Sequence, residues 1–255
     1  MDSIYTFTRP ELPGPLPLLM FAAGGGFIER DQIKINVLSG LIAARLKCVV
    51  VSIEYRLATQ HTFPTAHNDC LFGYLYCLSH AIELGAHPEW IGLIGESAGG
   101  TLIAGLTLIA KQKKIRQPIF QCLAYPMLNG AMETPSRLKY SEGAADAIRG
   151  FHAYAGTPEA YRSALLVPLG AQDLGGLPRT HIITAEHDPL RDEGEAYAAR
   201  LTKSGVKVSS VRYDTGHGFL TSIKGKSRAI RDVAIARIGQ EFDAALSDLP
   251  RKIEG

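Results

Sequence analysis

Along the chain, short runs of near-continuous apolar or β-branched residues alternate with longer stretches whose apolar positions recur at helical spacing. The apolar runs are Leu16–Ala22, Lys47–Ile53, Trp90–Gly95, Ile119–Tyr125, Thr180–Ala185 and Val208–Tyr213. Runs this short and this apolar suit strands buried on both faces. Between them, helical spacing covers Gln32–Leu46, Pro64–Leu84, Ala98–Lys113, Pro189–Lys203 and Lys226–Leu246. That alternation predicts βαβ units, and so an α/β fold with a mostly parallel central sheet flanked by helices. Ile4–Thr8 is expected to add an antiparallel edge strand, joined through the Pro/Gly-rich Pro10–Pro17. One segment breaks the rhythm. From about Met127 to Pro178 there is no clear strand, only weak helical patterns at Ala144–Tyr154 and Pro158–Leu165. So long a strandless stretch is not a plain connection. It predicts an insertion folded over one end of the sheet.

The chain has 255 residues, enough for one large α/β domain spanning 1–255 and its buried core. Hydrophobic residues make up 46% and charged ones 20%, the balance of an ordinary soluble globular protein. The net charge is +2 and the cations are scattered, apart from Lys111, Lys113 and Lys114 after an apolar helix. Cations at a helix C-terminus suit its dipole, so no nucleic-acid or membrane partner is expected. The spacing of Cys48, Cys70, Cys77 and Cys122 matches no metal signature, and a chain of this size needs no disulfide staples. Buried free thiols in a reducing compartment are expected. Leu16–Ala23 has the apolarity of a signal-peptide core, but only Arg9 precedes it as a basic residue and a glycine cluster follows. It reads as a strand, and the expected location is cytoplasmic.

The candidate chemistry begins at Gly95-Glu96-Ser97-Ala98-Gly99. The pentapeptide alone specifies little. What singles it out is the strand before it and the apolar helix after it, the context of a sharp strand-to-helix turn that lifts a serine hydroxyl off the sheet edge. A serine nucleophile needs a base, and the base needs an orienting acid. On a sheet of this kind the chain order is serine, acid, histidine, each after a strand. Asp188 closely follows Thr180–Ala185, and His217 closely follows Val208–Tyr213. Asp188 precedes Pro189 and would also serve as a helix N-cap; one oxygen can cap while the other orients an imidazole. Among the other histidines, His187 adjoins Asp188 too closely, His181 lies early in its strand, and His152 lies in the insertion. Gly24-Gly25-Gly26 follows the first central strand, where backbone amides can turn toward a developing oxyanion. No Gly-Lys-Ser/Thr follows, which argues against a phosphate-binding P-loop.

Together these residues resemble the bacterial hormone-sensitive-lipase-like (family IV) carboxylesterases of the α/β-hydrolase fold. Ala23-Gly24-Gly25-Gly26-Phe27 resembles the family's His-Gly-Gly-Gly-Phe loop. Tyr55-Arg56-Leu57-Ala58 with Phe63-Pro64 resembles Tyr-Arg-Leu-Ala-Pro-Glu with Phe-Pro shortly after. Gly95 to Gly100 resembles the serine elbow, with Glu96 where Asp is more usual. Asp188-Pro189-Leu190-Arg191-Asp192-Glu193-Gly194 and His217-Gly218-Phe219 resemble the acid and base motifs. The resemblance implies a triad of Ser97, Asp188 and His217, with an oxyanion hole from the amides of Gly24, Gly25 and Ala98. It implies hydrolysis of short to medium acyl esters, with no cofactor and no metal. Many family members dimerise, so a homodimer is the expected partner beside the small-molecule ester. Three departures stand out: Ala23 replaces the loop histidine, Thr59-Gln60 replaces Pro-Glu, and few residues precede the loop. Ala23 is expected to loosen the oxyanion loop, and the short lead to reduce the cap.

The same triad would also serve amide or formamide hydrolysis, or lactone opening. A different class of reading is a degenerate hydrolase frame that binds a small molecule without turning it over. The presence of His217 weighs against it.

Overall fold

A computed structural model describes residues 5–130 and 134–250. Its centre is a seven-stranded sheet: β1 (Tyr5–Thr8), β2 (Leu16–Ala22), β3 (Val49–Ile53), β4 (Ala86–Glu96), β5 (Phe120–Ala124), β6 (Arg179–His187) and β7 (Val208–Gly216). The order across the sheet is β1-β3-β2-β4-β5-β6-β7, with β1 antiparallel to β3 and every other pair parallel. This is the α/β-hydrolase fold. The expected edge strand is present from Tyr5; Ile4 lies outside the described residues.

The central strands are apolar on both faces because both faces are covered. In β2, Leu18, Met20 and Ala22 enter one core while Leu19 and Phe21 enter the other, the period of two that a pleated strand imposes. The first core packs under α2 (Thr65–His80), α3 (Ala98–Gln112) and α6 (Arg191–Lys203). The second packs under α1 (Gln32–Leu46) and α7 (Gly225–Ser247). Helix α3 is buried from Ala98 through Ala110, so its sequence is apolar all round rather than amphipathic. All four cysteines are buried and free.

Several bounds differ from the sequence reading: β3 starts at Val49 rather than Lys47, β6 runs Arg179–His187, β7 extends to Gly216, and three further differences have a local cause. Strand β4 begins at Ala86, not Trp90, because His87-Pro88-Glu89 sit in a half-exposed lead-in where the register with β2 shifts between Leu16 and Leu18. Proline is tolerated at such an irregularity. Helix α2 stops at His80, and the chain turns through Gly85 at φ 73° to enter β4. Helix α6 begins at Arg191 rather than Pro189, because Asp188 Oδ1 accepts from Leu190 N–H at 2.8 Å and closes a turn before the helix.

Between β5 and β6 lie α4 (Pro135–Lys139), α5 (Ser141–Ala155) and 3-10 turns at Pro158–Arg162 and Pro168–Gly170. Helix α5 packs on the sheet end through aromatic contacts. Tyr154 stacks on Phe27 with ring centroids 4.4 Å apart, and Phe151 meets Phe27 edge-on at 6.2 Å. His67 of α2, buried, links to the Tyr154 hydroxyl at 2.7 Å and to the Leu165 carbonyl at 3.0 Å. Burial holds that imidazole's pKa down to about 4, so it is neutral and its ring nitrogens are both used.

The parallel strands all point their carboxyl ends to one edge. The chain leaves β2 toward β3 on one side and returns to β4 on the other, so a crevice opens between the ends of β2 and β4. Open α/β sheets place ligands at such a switch point.

Candidate active site

Four loops meet at that crevice. The glycine loop leaves β2, Ser97 leaves β4, Asp188 leaves β6 and His217 leaves β7. Ser97 sits at φ 52° and ψ −119°, a conformation that L-residues rarely adopt. Its surroundings hold it there. A Cβ on Gly99 would stand 2.0 Å from Ala22 O, and one on Gly95 would stand 2.4 Å from Gly99 O. Only glycine lets β2, β4 and the start of α3 approach so closely, and that approach sets the serine on the turn. The Ser97 amide donates to Ala124 O at 2.9 Å, and its carbonyl accepts from Met127 N–H at 3.2 Å.

The structure brings Ser97, His217 and Asp188 together in hydrogen-bond sequence. Ser97 Oγ lies 3.0 Å from His217 Nε2, and His217 Nδ1 lies 2.8 Å from Asp188 Oδ2. With the proton on Nδ1, the imidazole donates to Asp188 and accepts from the serine hydroxyl. Asp188 is fully buried, with its two oxygens taken by His217 and by Leu190 N–H. Burial alone would lower the His217 pKa; the charge and hydrogen bond of Asp188, with the charges of Glu96 and Glu193, outweigh it and raise the pKa above the ordinary 6.5. The other histidines are committed elsewhere. His187 faces Asp214 at 3.2 Å and the Tyr140 hydroxyl at 3.3 Å, His181 is buried against Ser209, and His152 meets the Tyr161 hydroxyl.

Among the described residues, the amides of Gly25 and Ala98 have no acceptor, and both adjoin Ser97. Gly24 differs from the sequence expectation. Its N–H donates to Glu96 Oε1 at 3.3 Å, so that amide already has an acceptor, although Gly24 lies against the Ser97 side chain. Two clefts flank Ser97. One of about 190 Å³ runs past Ala23, Glu29, Lys34, Tyr125 and Thr221. Another of about 350 Å³ runs past Gly26, Ile28, Met127, Ala147 and Arg149 of α5. No group of three or more His, Cys, Asp or Glu side chains among the described residues is arranged to hold a metal ion. No helix among them is long and apolar enough to cross a membrane.

A family model described as the alpha/beta hydrolase fold matches residues 19–221. The chain belongs to the α/β-hydrolase family, in its hormone-sensitive-lipase-like branch. It is 34% identical over 224 residues to an arylesterase of Saccharolobus solfataricus, which covers 86% of this chain and 72% of that protein. It is 32% identical over 225 residues to the carboxylesterase NlhH of Mycobacterium tuberculosis, covering 85% of this chain and 70% of that protein. Among solved structures, an esterase of the archaeon Pyrobaculum calidifontis superposes with a TM-score of 0.87 at 32% identity, covering 95% of this chain and 81% of that one.

Within this hydrolase frame, Ala23 does not leave the glycine loop untied. The Tyr55 hydroxyl donates to Ala23 O at 2.8 Å, and Ala58 N–H donates to Phe27 O at 2.8 Å. Gly25 O accepts from Ile28 and Glu29 N–H at 3.0 and 2.9 Å, and Glu96 holds Gly24. Residues distant in sequence therefore supply the anchors a loop histidine would give. Ala23 itself is 5% exposed, packed beside the smaller cleft. Ala23→His is accordingly expected to leave kcat unchanged or lower it, since the imidazole must displace packed neighbours. Steady-state kinetics on one aryl ester checks this; a several-fold rise in kcat would mean the loop lacks an anchor after all. The sequence reading named Tyr55 only as part of a motif and Tyr125 only as a strand end. The one available signal was position: each follows a buried strand and so reaches the same sheet edge.

Proposed function

We propose that this chain is a serine carboxylesterase. The observation that carries the reading is the pair of hydrogen bonds on His217, one to Ser97 Oγ and one to Asp188 Oδ2. Ser97 Oγ attacks the ester carbonyl while His217 Nε2 takes its proton, and Asp188 supports the imidazolium. The amides of Gly25 and Ala98 receive the oxyanion, and the N-terminus of the 15-residue α3 places its positive end beside it. His217 then gives the proton to the leaving alkoxide, the alcohol departs, and Ser97 carries the acyl group. Water, deprotonated by His217, attacks the acyl carbonyl; carboxylate and free serine result. The named activities of the relatives, arylesterase and carboxylesterase, support the same reaction class.

The acyl specificity we propose is for short chains. A methylene contributes about 0.8 kcal/mol only when it leaves water. Both clefts beside Ser97 are small and walled partly by charged side chains, Glu29, Asp31 and Lys34 in the one of about 190 Å³ and Asp146 and Arg149 in the one of about 350 Å³, so only a few acyl carbons leave water. Aryl esters from acetyl to decanoyl, run beside an aryl amide and a lactone, test this. We expect kcat/KM to peak at acetyl or butyryl and to fall by octanoyl, with the ester far ahead of the amide and the lactone. A steep rise to octanoyl would overturn the short-chain reading, and preference for the amide or lactone would move the reaction class.

A further inference from the structure

One buried carboxylate at the site has no part in the relay. Glu96 precedes the serine and is 6% exposed. Its two oxygens reach in different directions. Oε1 accepts from Gly24 N–H at 3.3 Å, and Oε2 accepts from the Tyr125 hydroxyl at 2.6 Å. The Tyr125 oxygen accepts in turn from Leu220 N–H at 3.3 Å, and its ring meets the His217 ring edge-on at 4.9 Å. Tyr125 is itself fully buried and stands at φ 37°, a strained backbone for a bulky residue. From there the phenol reaches Glu96 and the His217 ring. The chain of contacts thus runs from the oxyanion loop after β2, through the residue beside the nucleophile, to the segment that follows the base.

We propose that Glu96 and Tyr125 form a single positioning element that holds the oxyanion loop and the His217 segment in register with Ser97. The proposal rests on the serine-esterase reading above and assigns neither side chain a contact with substrate. Glu96 joins two donors on different segments, the Gly24 amide at Oε1 and the Tyr125 hydroxyl at Oε2. A buried carboxylate is costly unless its oxygens are hydrogen-bonded, and here both are. Burial still leaves the Glu96 pKa raised, opposed by Tyr125, Gly24 and the positive charge of His217 and Lys34.

Three single variants and one double variant test it, each corrected to the folded fraction by titrating Ser97 with a fluorophosphonate. Tyr125→Phe keeps the ring and removes one oxygen. Glu96→Gln keeps shape and removes the charge. Glu96→Asp keeps the charge and shortens the reach. Each is expected to lower kcat about 10-fold with KM within about two-fold, because the loss falls on transition-state alignment rather than binding. The double variant Glu96→Gln with Tyr125→Phe should lose little more than either alone, since the two act as one unit. The acid limb of kcat/KM should move to lower pH in Glu96→Gln, which removes a negative charge facing His217, and stay in place in Glu96→Asp. Asp188 and Glu193 also face His217 and are unchanged in every variant. A purely structural role would lower Tm but leave kcat per titrated Ser97 within about two-fold of the parent. Tyr125→Phe and Glu96→Gln both within two-fold of the parent kcat would overturn the proposal; if Glu96→Gln does not fold, Tyr125→Phe within two-fold overturns it alone. Fully additive losses would overturn it as well. Failure of the underlying reading looks different: Ser97→Ala would then stay active.

Discussion

Ser97→Ala is expected to reduce ester hydrolysis by about 10⁴- to 10⁶-fold while the fold survives. The size follows from what is removed. Without the oxygen there is no acyl-enzyme, and the amides of Gly25 and Ala98 can only assist a direct attack by water. The remaining acceleration is that of binding and oxyanion stabilisation alone. The fold should survive because, among the described residues, the serine side chain has one polar contact, to His217, and the strained turn is set by the glycine contacts around it rather than by the hydroxyl. Thermal unfolding beside steady-state turnover checks both halves. Retention of more than a tenth of the parent kcat would remove Ser97 from the mechanism.

His217→Gln is expected to lose activity by about 10³- to 10⁶-fold and to lose the acid limb of the pH profile with it. The proposed mechanism needs a neutral imidazole at His217, since only that form accepts the serine proton. Asp188 raises the His217 pKa above 6.5, so kcat/KM should climb through an apparent pKa above 6.5 and then level off. Below that pH the imidazolium has no lone pair for Ser97, and activity is lost; above it the base is free. Glutamine can fill the space and donate to Asp188, but it does not titrate. A pH series of kcat/KM on a neutral ester decides it. If His217→Gln kept the limb, another histidine would be the base, although His187, His181 and His152 all face other partners.

The sheet and its flanking helices were legible because burial writes itself into sequence at fixed periods. Strand β2 and helix α1 begin and end where the apolar pattern does, at Leu16–Ala22 and Gln32–Leu46. Where an element carries polar residues, the pattern fails. The start of β4 hides behind His87-Pro88-Glu89, and α4 is a single polar-looking turn and a half whose Arg137 is buried. Sequence reads such an arginine as surface. In the structure its Nη2 donates to Glu193 Oε2 at 2.9 Å, and burial raises the Glu193 pKa to about 8 even against that cation. The positions of Ser97, Asp188 and His217 could be named from strand ends and chain order, but their mutual distances could not. The glycine loop was misjudged for the same reason. Its anchors, Tyr55, Ala58 and Glu96, lie 31 to 72 residues from the loop residues they hold, roughly the length of one or two βα units, and the parallel sheet brings them to one edge.

The most direct measurement is the mass and site of the covalent adduct formed when the chain meets a fluorophosphonate. The account predicts one adduct per chain, mapped by peptide sequencing to Ser97, formed slowly or not at all after His217→Gln, and blocked by prior reaction with a slowly deacylating ester. An unlabelled chain that still hydrolyses aryl acetates, or an adduct on any residue other than Ser97, would contradict it.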